Sequence, residues 1–432
     1  MTLDVASSVN FIDGTIPPVS EIVIVIADLY LPAGSTDAAG DSYATGFARA
    51  ASSSRAAGNS PPPGTSGGIP ALEHIARFGH RRALAERGGW RGWLAHRLDR
   101  DDLVNVPPAV IAAAALDTVP SGPTTSGSAA SGSAASGFTA SSPAVSGSIA
   151  SGSTAWLATP LHRIAGLTSV HLDRRSLLQL SAEEVQGFVT DFNRIFGDDP
   201  TSPLCLRALP GGALLLEAPA NLVAATTDPA RALVTGLEDS LPSGPQATPF
   251  KLLGAEIEMW LHPHPLNAFR AKRGDLPVNA LWLWGGGPVT SVSQPETTAP
   301  ASSVSQHKVS VPAADAARLF GSDPFLAGLS RLSGLPLHPL PPGFRDIPDV
   351  ADNERTLLVT EIAPWLHSNP TWSVFDVMAE LDRCFISPAL AALNTGAVER
   401  LTLIANDVEL SVQRRDRLKF WRRPKTALAG LQ

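Results

Sequence analysis

The sequence predicts an α/β protein: a largely parallel layered sheet with helices on both faces, a smaller α+β region inserted into it, and flexible Ser/Gly/Ala-rich loops. Three observations lead there. The segment EIVIVIADLYLP (21–32) is a continuous β-branched and apolar run, the pattern of a strand buried on both faces of a parallel sheet. Strand-like runs alternate along the chain with stretches of helical spacing. Between them lie three tracts, 34–68, 121–155 and 288–306, rich in Ser, Gly, Ala, Thr, Val and Pro. Such tracts bury too little apolar surface to offset the entropy of ordering them.

At 432 residues, two structural units are expected. The tracts divide the chain into a first part of the core at 1–120, with 34–68 flexible, and a low-complexity linker at 121–155. The smaller insert follows at 156–250, and the second part of the core at 251–432, with 288–306 flexible. The linker repeats SGSAASGSAASG, a period far shorter than the roughly 20–50 residues of a solenoid repeat.

Taken in order, IPALEHIARFGHRRALAERGG (69–89) has helical spacing at Leu72, Ile75, Ala76 and Phe78, with Gly79 as a break. SAEEVQGFVTDFNRIFG (181–197) opens on Ser181 with Glu184 three residues on, a capping box, and carries Val185, Phe188, Val189, Phe192 and Phe196 on one stripe. Residues 201–219 read as two short strands around Pro210-Gly211-Gly212. In TPFKLLGAEIEMWLHPHP, Thr248 can cap, Pro249 suits the first helical position, and the helix stops before Pro263. NALWLWGGG (279–287) is a strand entering a glycine loop, and 313–335 reads as helical pieces around a turn at Gly321–Pro324. RTLLVTEIAPWL (355–366) is a strand, VFDVMAELDRCFISPALAALN (374–394) is helical, and 401–421 is a strand, a turn at Asn406-Asp407 and a second strand.

Composition narrows the function. Apolar residues make up 44% and mean hydropathy is +0.08, enough for a sizeable core. The net charge of −7 argues against nucleic-acid binding by field alone. Cys205 and Cys384 form no disulfide framework and neither sits in a CxxC. The run Ile22–Ala27 is too short for a signal peptide, no basic residue precedes Arg49, and no segment reaches the ~18 apolar residues of a membrane span. The expected compartment is the cytoplasm, with no membrane partner.

The most informative stretch is LHPHPLNAFRAKRGDLPVNALWLWGGG (261–287). Asn267 can cap a short helix, Arg270 lies one turn on, Gly274 ends it, and Asn279 begins a strand that ends at Gly285, Gly286 and Gly287. Beyond the carboxyl end of a parallel strand such glycines expose backbone N–H groups to an anion, and Arg270 offers a fork for phosphate or carboxylate. Asn267, Arg270, Asn279 and Gly285–Gly287 are therefore the candidate ligand-binding residues. The same residues also read as caps, turns and a local ion pair.

The pattern Pro265, Asn267, Arg270, Gly274, Pro277, Asn279, Trp282, Trp284, Gly285–Gly287 resembles a segment of the archaeal-type, cofactor-independent phosphoglycerate mutases. It is closer still to a bacterial group also described as RpfE-type regulatory proteins, which LTLIANDVEL…DRLKFWRR resembles as well. IPALEHIARFG resembles a helix found across the alkaline-phosphatase-like superfamily. The resemblance implies an alkaline-phosphatase-like layered sheet. It also implies a site of two divalent metals held by Asp and His, with a Ser nucleophile for phosphoryl transfer. This chain departs from that pattern where the chemistry lies. Asp28 is the one metal ligand that carries over, followed by Leu29 and Tyr30 rather than Gly; the later strand ends in Asn406-Asp407-Val408, and no His follows His367.

Other features read more plainly. His262 and His264 flank Pro263 with no third ligand nearby, so a helix-terminal role is expected rather than a metal site. Glu256 and Glu258 point different ways on a helix. The basic run Arg414, Arg415, Arg417, Lys419, Arg422, Arg423, Lys425, beside Phe420 and Trp421, reads as a solvated tail or as a docking patch for an acidic protein partner or nucleic acid. The expectation is a degenerate phosphoglycerate-mutase-like protein, non-catalytic, with a regulatory or anion-binding role toward a phosphorylated small molecule, and no cofactor. The alternatives are an active mutase or related phosphatase, which would need Mn, Mg or Zn, and an interaction module using the basic tail.

Overall fold

A computed structural model describes residues 20–31, 68–84, 88–117, 152–166, 170–198, 203–289, 317–347 and 355–418. The tract at 34–68 falls outside them except for its last residue, as do residues 121–151 and 290–306 and the basic tail from Lys419 onward.

In chain order the elements begin with strand β1 (Glu21–Ile26), helix α1 (Pro70–Phe78), β2 (His80–Ala83), α2 (Gly89–Arg97) and α3 (Pro108–Ala113). Then come β3 (Ser153–Leu161), the two-residue strands β4 (Ile164–Ala165) and β5 (Val170–His171), α4 (Ala182–Phe196), β6 (Cys205–Ala208), β7 (Leu214–Pro219) and α5 (Pro229–Thr235). Next are α6 (Ala247–Leu261), α7 (Pro265–Arg273), β8 (Ala280–Pro288), β9 (Ala317–Phe320), α8 (Pro324–Ser333), β10 (Leu337–His338) and β11 (Arg355–Thr360). The chain closes with α9 (Ile362–Ser368), α10 (Val374–Leu381), a π-turn at Asp382–Ile386, α11 (Ser387–Thr395), β12 (Arg400–Ala405) and β13 (Val408–Gln413).

The core is a seven-stranded sheet in the order β10-β9-β11-β1-β12-β13-β2. Its strands from β10 to β12 run parallel, and β13 and β2 close the far edge antiparallel. The apolar run of β1 explains its central place. Ile22, Ile24 and Ile26 pack on the face of α1, α9, α10 and α11, while Val23, Val25 and Ala27 pack on the face of α2 and α8. Helices therefore cover both faces, as the unbroken β-branched run requires. The hairpin β12–β13 turns on Asn406 and Asp407, both at positive φ (50° and 58°), a conformation these two residue types tolerate. Among the described residues, no helix is long and apolar enough to cross a membrane.

The insert carries its own four-stranded antiparallel sheet, β6-β7-β3-β8. Its membership corrects two expectations. Residues 280–288 are an edge strand of this sheet, paired antiparallel to β3, and not a strand of the parallel core. The insert therefore runs on past 250, since α6 and α7 bury Phe250, Leu253, Ile257, Leu261 and Leu266 against the same sheet. At the other end, β3 begins at Ser153, inside the tract read as linker. The capping box of α4 forms as expected: Ser181 Oγ accepts from Glu184 N, and Glu184 Oε2 accepts from Ser181 N at 2.8 Å. His80–Ala83 follows α1, past the break at Gly79, as an edge strand, and Ala317–Phe320, expected within helical pieces, is instead a strand between β10 and β11.

The short helix α3 joins the two units, packing its alanines on the outer face of the insert sheet and against α8. The approach to α8 is close: a Cβ on Gly328 would sit 1.8 Å from the carbonyl oxygen of Ile111.

Candidate functional site

In open α/β sheets, ligands bind beyond the carboxyl ends of the parallel strands. Here β1, β11 and β12 are adjacent and end together, and the residues that follow them are Asp28, Glu361 and Asn406-Asp407. Asp28 is buried and faces α9: Oδ1 accepts from Ile362 N at 2.6 Å and Oδ2 from Ala363 N at 2.9 Å. Burial raises its pKa above the usual carboxylate range, against the pull of Arg174 and those two N–H groups. Asn406 Oδ1 accepts from Leu31 N at 2.8 Å, so the hairpin turn braces the loop after β1.

The insert meets this end of the sheet through Asp228, the N-cap of α5, and through Arg174 and Arg231. Arg91 of α2 donates Nη1 to Asp228 Oδ2 and Nη2 to Asp323 Oδ2, each at 2.8 Å. Burial would lower the Arg91 pKa, but Asp323, Asp228 and Tyr30 outweigh it and raise it, so the guanidinium stays charged. Arg231 bonds Asp407 at 2.7 Å and lies over the ring of Tyr30 at 4.7 Å. Arg174 donates to the carbonyl of Asp28 and, at 2.8 Å, to that of Tyr30. Burial and the nearby Asp228 raise the Tyr30 phenol, keeping it protonated.

Glu361 is the exception in this crevice. It is partly exposed, and its carboxylate makes no hydrogen bond among the described residues. Burial, Asp323, Asp28 and Asp228 push its pKa up to about 8, with Arg91 opposing. A carboxyl that titrates near neutrality beside a buried cation is a candidate acid/base group.

The crevice does not fit a two-metal site. Both oxygens of Asp28 accept backbone N–H groups, Asp228 and Asp323 each hold a helix N-cap and Arg91, and Asp407 holds Arg231. His367, on α9, has Nδ1 2.9 Å from the carbonyl of Ala363 and Nε2 3.1 Å from that of Arg175. Among the described residues no group of three or more His, Cys, Asp or Glu side chains is arranged to hold a metal ion. Asp28, the expected ligand, thus caps the start of α9 with both of its oxygens.

The signature at 261–287 folds into the insert, away from these strand ends. Asn267 donates Nδ2 to the carbonyls of Leu261 and Val278 and accepts from Val278 N at 2.8 Å. Arg270 is buried, with Nη1 on Glu184 at 2.9 Å and Nε on the carbonyl of Leu276 at 2.7 Å. Asn279 accepts from Arg163 N at 2.7 Å and donates to Arg163 O at 2.9 Å. Each of the three side chains read as an anion contact is therefore hydrogen-bonded within the fold. The glycines are packed as well. A Cβ on Gly286 would lie 2.3 Å from both the carbonyl oxygen of Ala155 and the ring of Trp156, while Gly285 and Gly287 abut Pro108 and Pro107. They let β8 pass close to its neighbours.

Of the remaining candidates, His264 Nδ1 accepts from Leu266 N at 3.2 Å and caps α7, as a helix-terminal reading expects. Glu258 pairs with Arg163. Arg414, Arg415 and Arg417 are exposed. The spacing gives no hint of Arg91, Asp228 or Asp323, whose meeting is long-range. Glu361 carries one usable signal: it follows an apolar strand just as Asp28 follows β1.

No family model and no curated protein matches the chain. Among solved structures it is similar to the cofactor-independent phosphoglycerate mutase from Thermoplasma acidophilum DSM 1728, at 16% identity and a TM-score of 0.31, over 91% of this chain and 90% of that one. It is also similar to the PH0037 protein from Pyrococcus horikoshii, at 11% identity and a TM-score of 0.40, over 92% and 88%. With identities and scores this low, the fold rests on the observed strand order and the site on this chain's own residues.

Proposed function

We propose that this chain is a phosphoglycerate-mutase-like protein that does not perform metal-dependent phosphoryl transfer and serves a binding or regulatory role. One observation carries this reading. The carboxylates at the strand ends are held by arginines and backbone N–H groups, so they are not arranged around a position where a metal pair would sit. Two-metal catalysis needs carboxylate and imidazole lone pairs left open to the ions. The resemblance of the signature segment supports the family reading, and the altered strand ends support the reading that the chemistry is lost. A regulatory role on this scaffold would act through the shape of the insert–core crevice.

The test is direct. Purified protein should carry less than one equivalent of Mn or Zn and show no interconversion of 2- and 3-phosphoglycerate with Mn, Mg or Zn added. Turnover that a chelator abolishes would replace this reading with that of an active mutase.

Glu361 supports a second reading, a metal-free acid/base site. Its carboxyl is unbonded, partly exposed and titrates near about 8. Ligand binding whose affinity follows a pKa in that region, and loses that dependence in Glu361→Gln, would establish it.

A further inference from the structure

β2 (His80–Ala83) is the last strand of the seven-stranded sheet, and among the described residues no strand pairs with its outer edge. Just past it, Leu84 N donates to the carbonyl of Asp407 at 2.7 Å and continues the ladder with β13. Bonded positions alternate along an antiparallel pair, so Arg82 and His80 also turn their backbone groups toward β13. The backbone N–H and C=O groups of Arg81 and Ala83 therefore point away from the sheet. All four side chains of the strand are exposed.

Charge sets this edge apart. It carries His80, Arg81 and Arg82, and Arg414, Arg415 and Arg417 stand exposed directly after β13, past Ser411, the residue opposite His80. The nearby acids are engaged elsewhere. Glu409, directly opposite Arg82, accepts from Trp93 Nε1 at 3.1 Å, Asp407 pairs with Arg231, and Asp416 accepts from Gln413 N at 2.8 Å. Among the described residues neither Arg81 nor Arg82 has a carboxylate partner. Unpaired backbone groups at a sheet edge are a template for a further strand. A second copy of β2 is a poor one, because two such edges side by side set arginine against arginine. A nucleic-acid backbone answers the charges but leaves the outward C=O groups without donors. An acidic polypeptide strand satisfies both.

We propose that the β2 edge docks an acidic, extended segment of a protein partner as an added strand of the core sheet. Backbone bonds to Arg81 and Ala83 set the register of that strand. Successive side chains of a strand face opposite ways, so two adjacent acids on the partner reach Arg81 on one face of the sheet and Arg82 on the other. The arginines after β13 carry the attraction beyond the strand and favour encounter. The inference goes beyond the reading of the crevice and does not depend on it, since the crevice is built on β11, β1 and β12 and the docking edge on β2.

The test titrates the full chain into a labelled peptide, Thr-Val-Glu-Glu-Val-Thr, by fluorescence anisotropy across a salt series, with amide hydrogen exchange followed over His80–Ala83. Wild type should bind, lose affinity as salt rises, and exchange more slowly in that segment when the peptide is present. The same peptide with Lys in place of Glu should not bind. Arg81→Glu combined with Arg82→Glu should weaken binding about tenfold, the scale of losing two exposed ion pairs. If that variant does not fold, Arg81→Ala with Arg82→Ala must show a loss of about threefold or more. Ala83→Pro removes one outward N–H and keeps the bonds to β13, so it should weaken binding about fivefold at an unchanged melting temperature. No saturable binding to wild type, or equal binding by the charge variants, overturns the proposal and leaves the arginines as guards against self-pairing. Wild-type affinity in Ala83→Pro overturns the added strand. A wild-type dimer that Ala83→Pro dissociates assigns the edge to a second copy instead. A single-stranded oligonucleotide that displaces the peptide and binds Ala83→Pro as tightly as wild type assigns it to nucleic acid, and either result overturns the acidic partner.

Discussion

Two buried arginines divide this molecule into a settled region and an unsettled one. Arg270, in the insert, meets Glu184 and a backbone carbonyl, and Glu184 in turn takes Arg273 and the N–H of Ser181. Every charge there has a near neighbour of opposite sign, and burial leaves nothing unpaired. Arg91, at the strand ends, is one guanidinium shared between Asp228 and Asp323, with Glu361 close by and without a hydrogen bond of its own among the described residues. The first arrangement stabilises a fold. The second holds a carboxyl, Glu361, whose pKa is pushed up by burial and by Asp323, the environment of a candidate binding or acid/base group. Both use the same residue types, so the difference lies in stoichiometry and in which units the partners come from.

The comparison predicts that breaking the settled region costs most. Arg270→Met leaves Glu184 buried without its inner partner and should lower stability by about 3–5 kcal/mol in chemical denaturation. A loss below about 1 kcal/mol there, together with weakened phosphate binding, would return Arg270 to a ligand role. Gly286→Ala should cost about 1–3 kcal/mol, because its Cβ meets Ala155 and Trp156 at 2.3 Å and β8 must shift. Near-wild-type melting of that variant would mean the glycine serves something other than packing. Asn279→Ala removes two bonds to the backbone of Arg163 and should cost about 1–2 kcal/mol.

The effect that depends on pH, and the one that sharpens the contrast, belongs to Glu361→Gln. The folded protein holds the Glu361 proton up to about 8, against the model-peptide value of 4.5. The stability associated with its protonated form is fully present below the unfolded value and is lost as pH rises toward about 8. Wild type should therefore lose stability relative to Glu361→Gln between those limits, and the difference should level off above them. Parallel stability–pH curves for the two proteins would show that Glu361 ionises freely at the strand ends.

What the sequence determined by itself follows from periodicity and local chemistry. The run 21–26 could satisfy its apolar side chains only with cover on both faces, and it became the central strand. Ser181 and Glu184 lie within one helical turn of each other, so their capping box needed nothing from elsewhere. Asn406 and Asp407 could adopt positive φ where other residues resist it. Tertiary structure alone decided the site. Whether Asn267, Arg270 and Asn279 faced a ligand depended on Val278, Glu184 and Arg163, and Glu184 lies 86 residues from Arg270. Residues 280–288 have the same strand propensity in either sheet, and only pairing with β3 placed them in the insert. Arg91 and Asp228 lie 137 residues apart, and Arg91 and Asp323 232 apart. Charges separated by that much chain carry no local pattern, because their energy arises only when the packed units bring them within a few ångströms in a medium that screens them weakly.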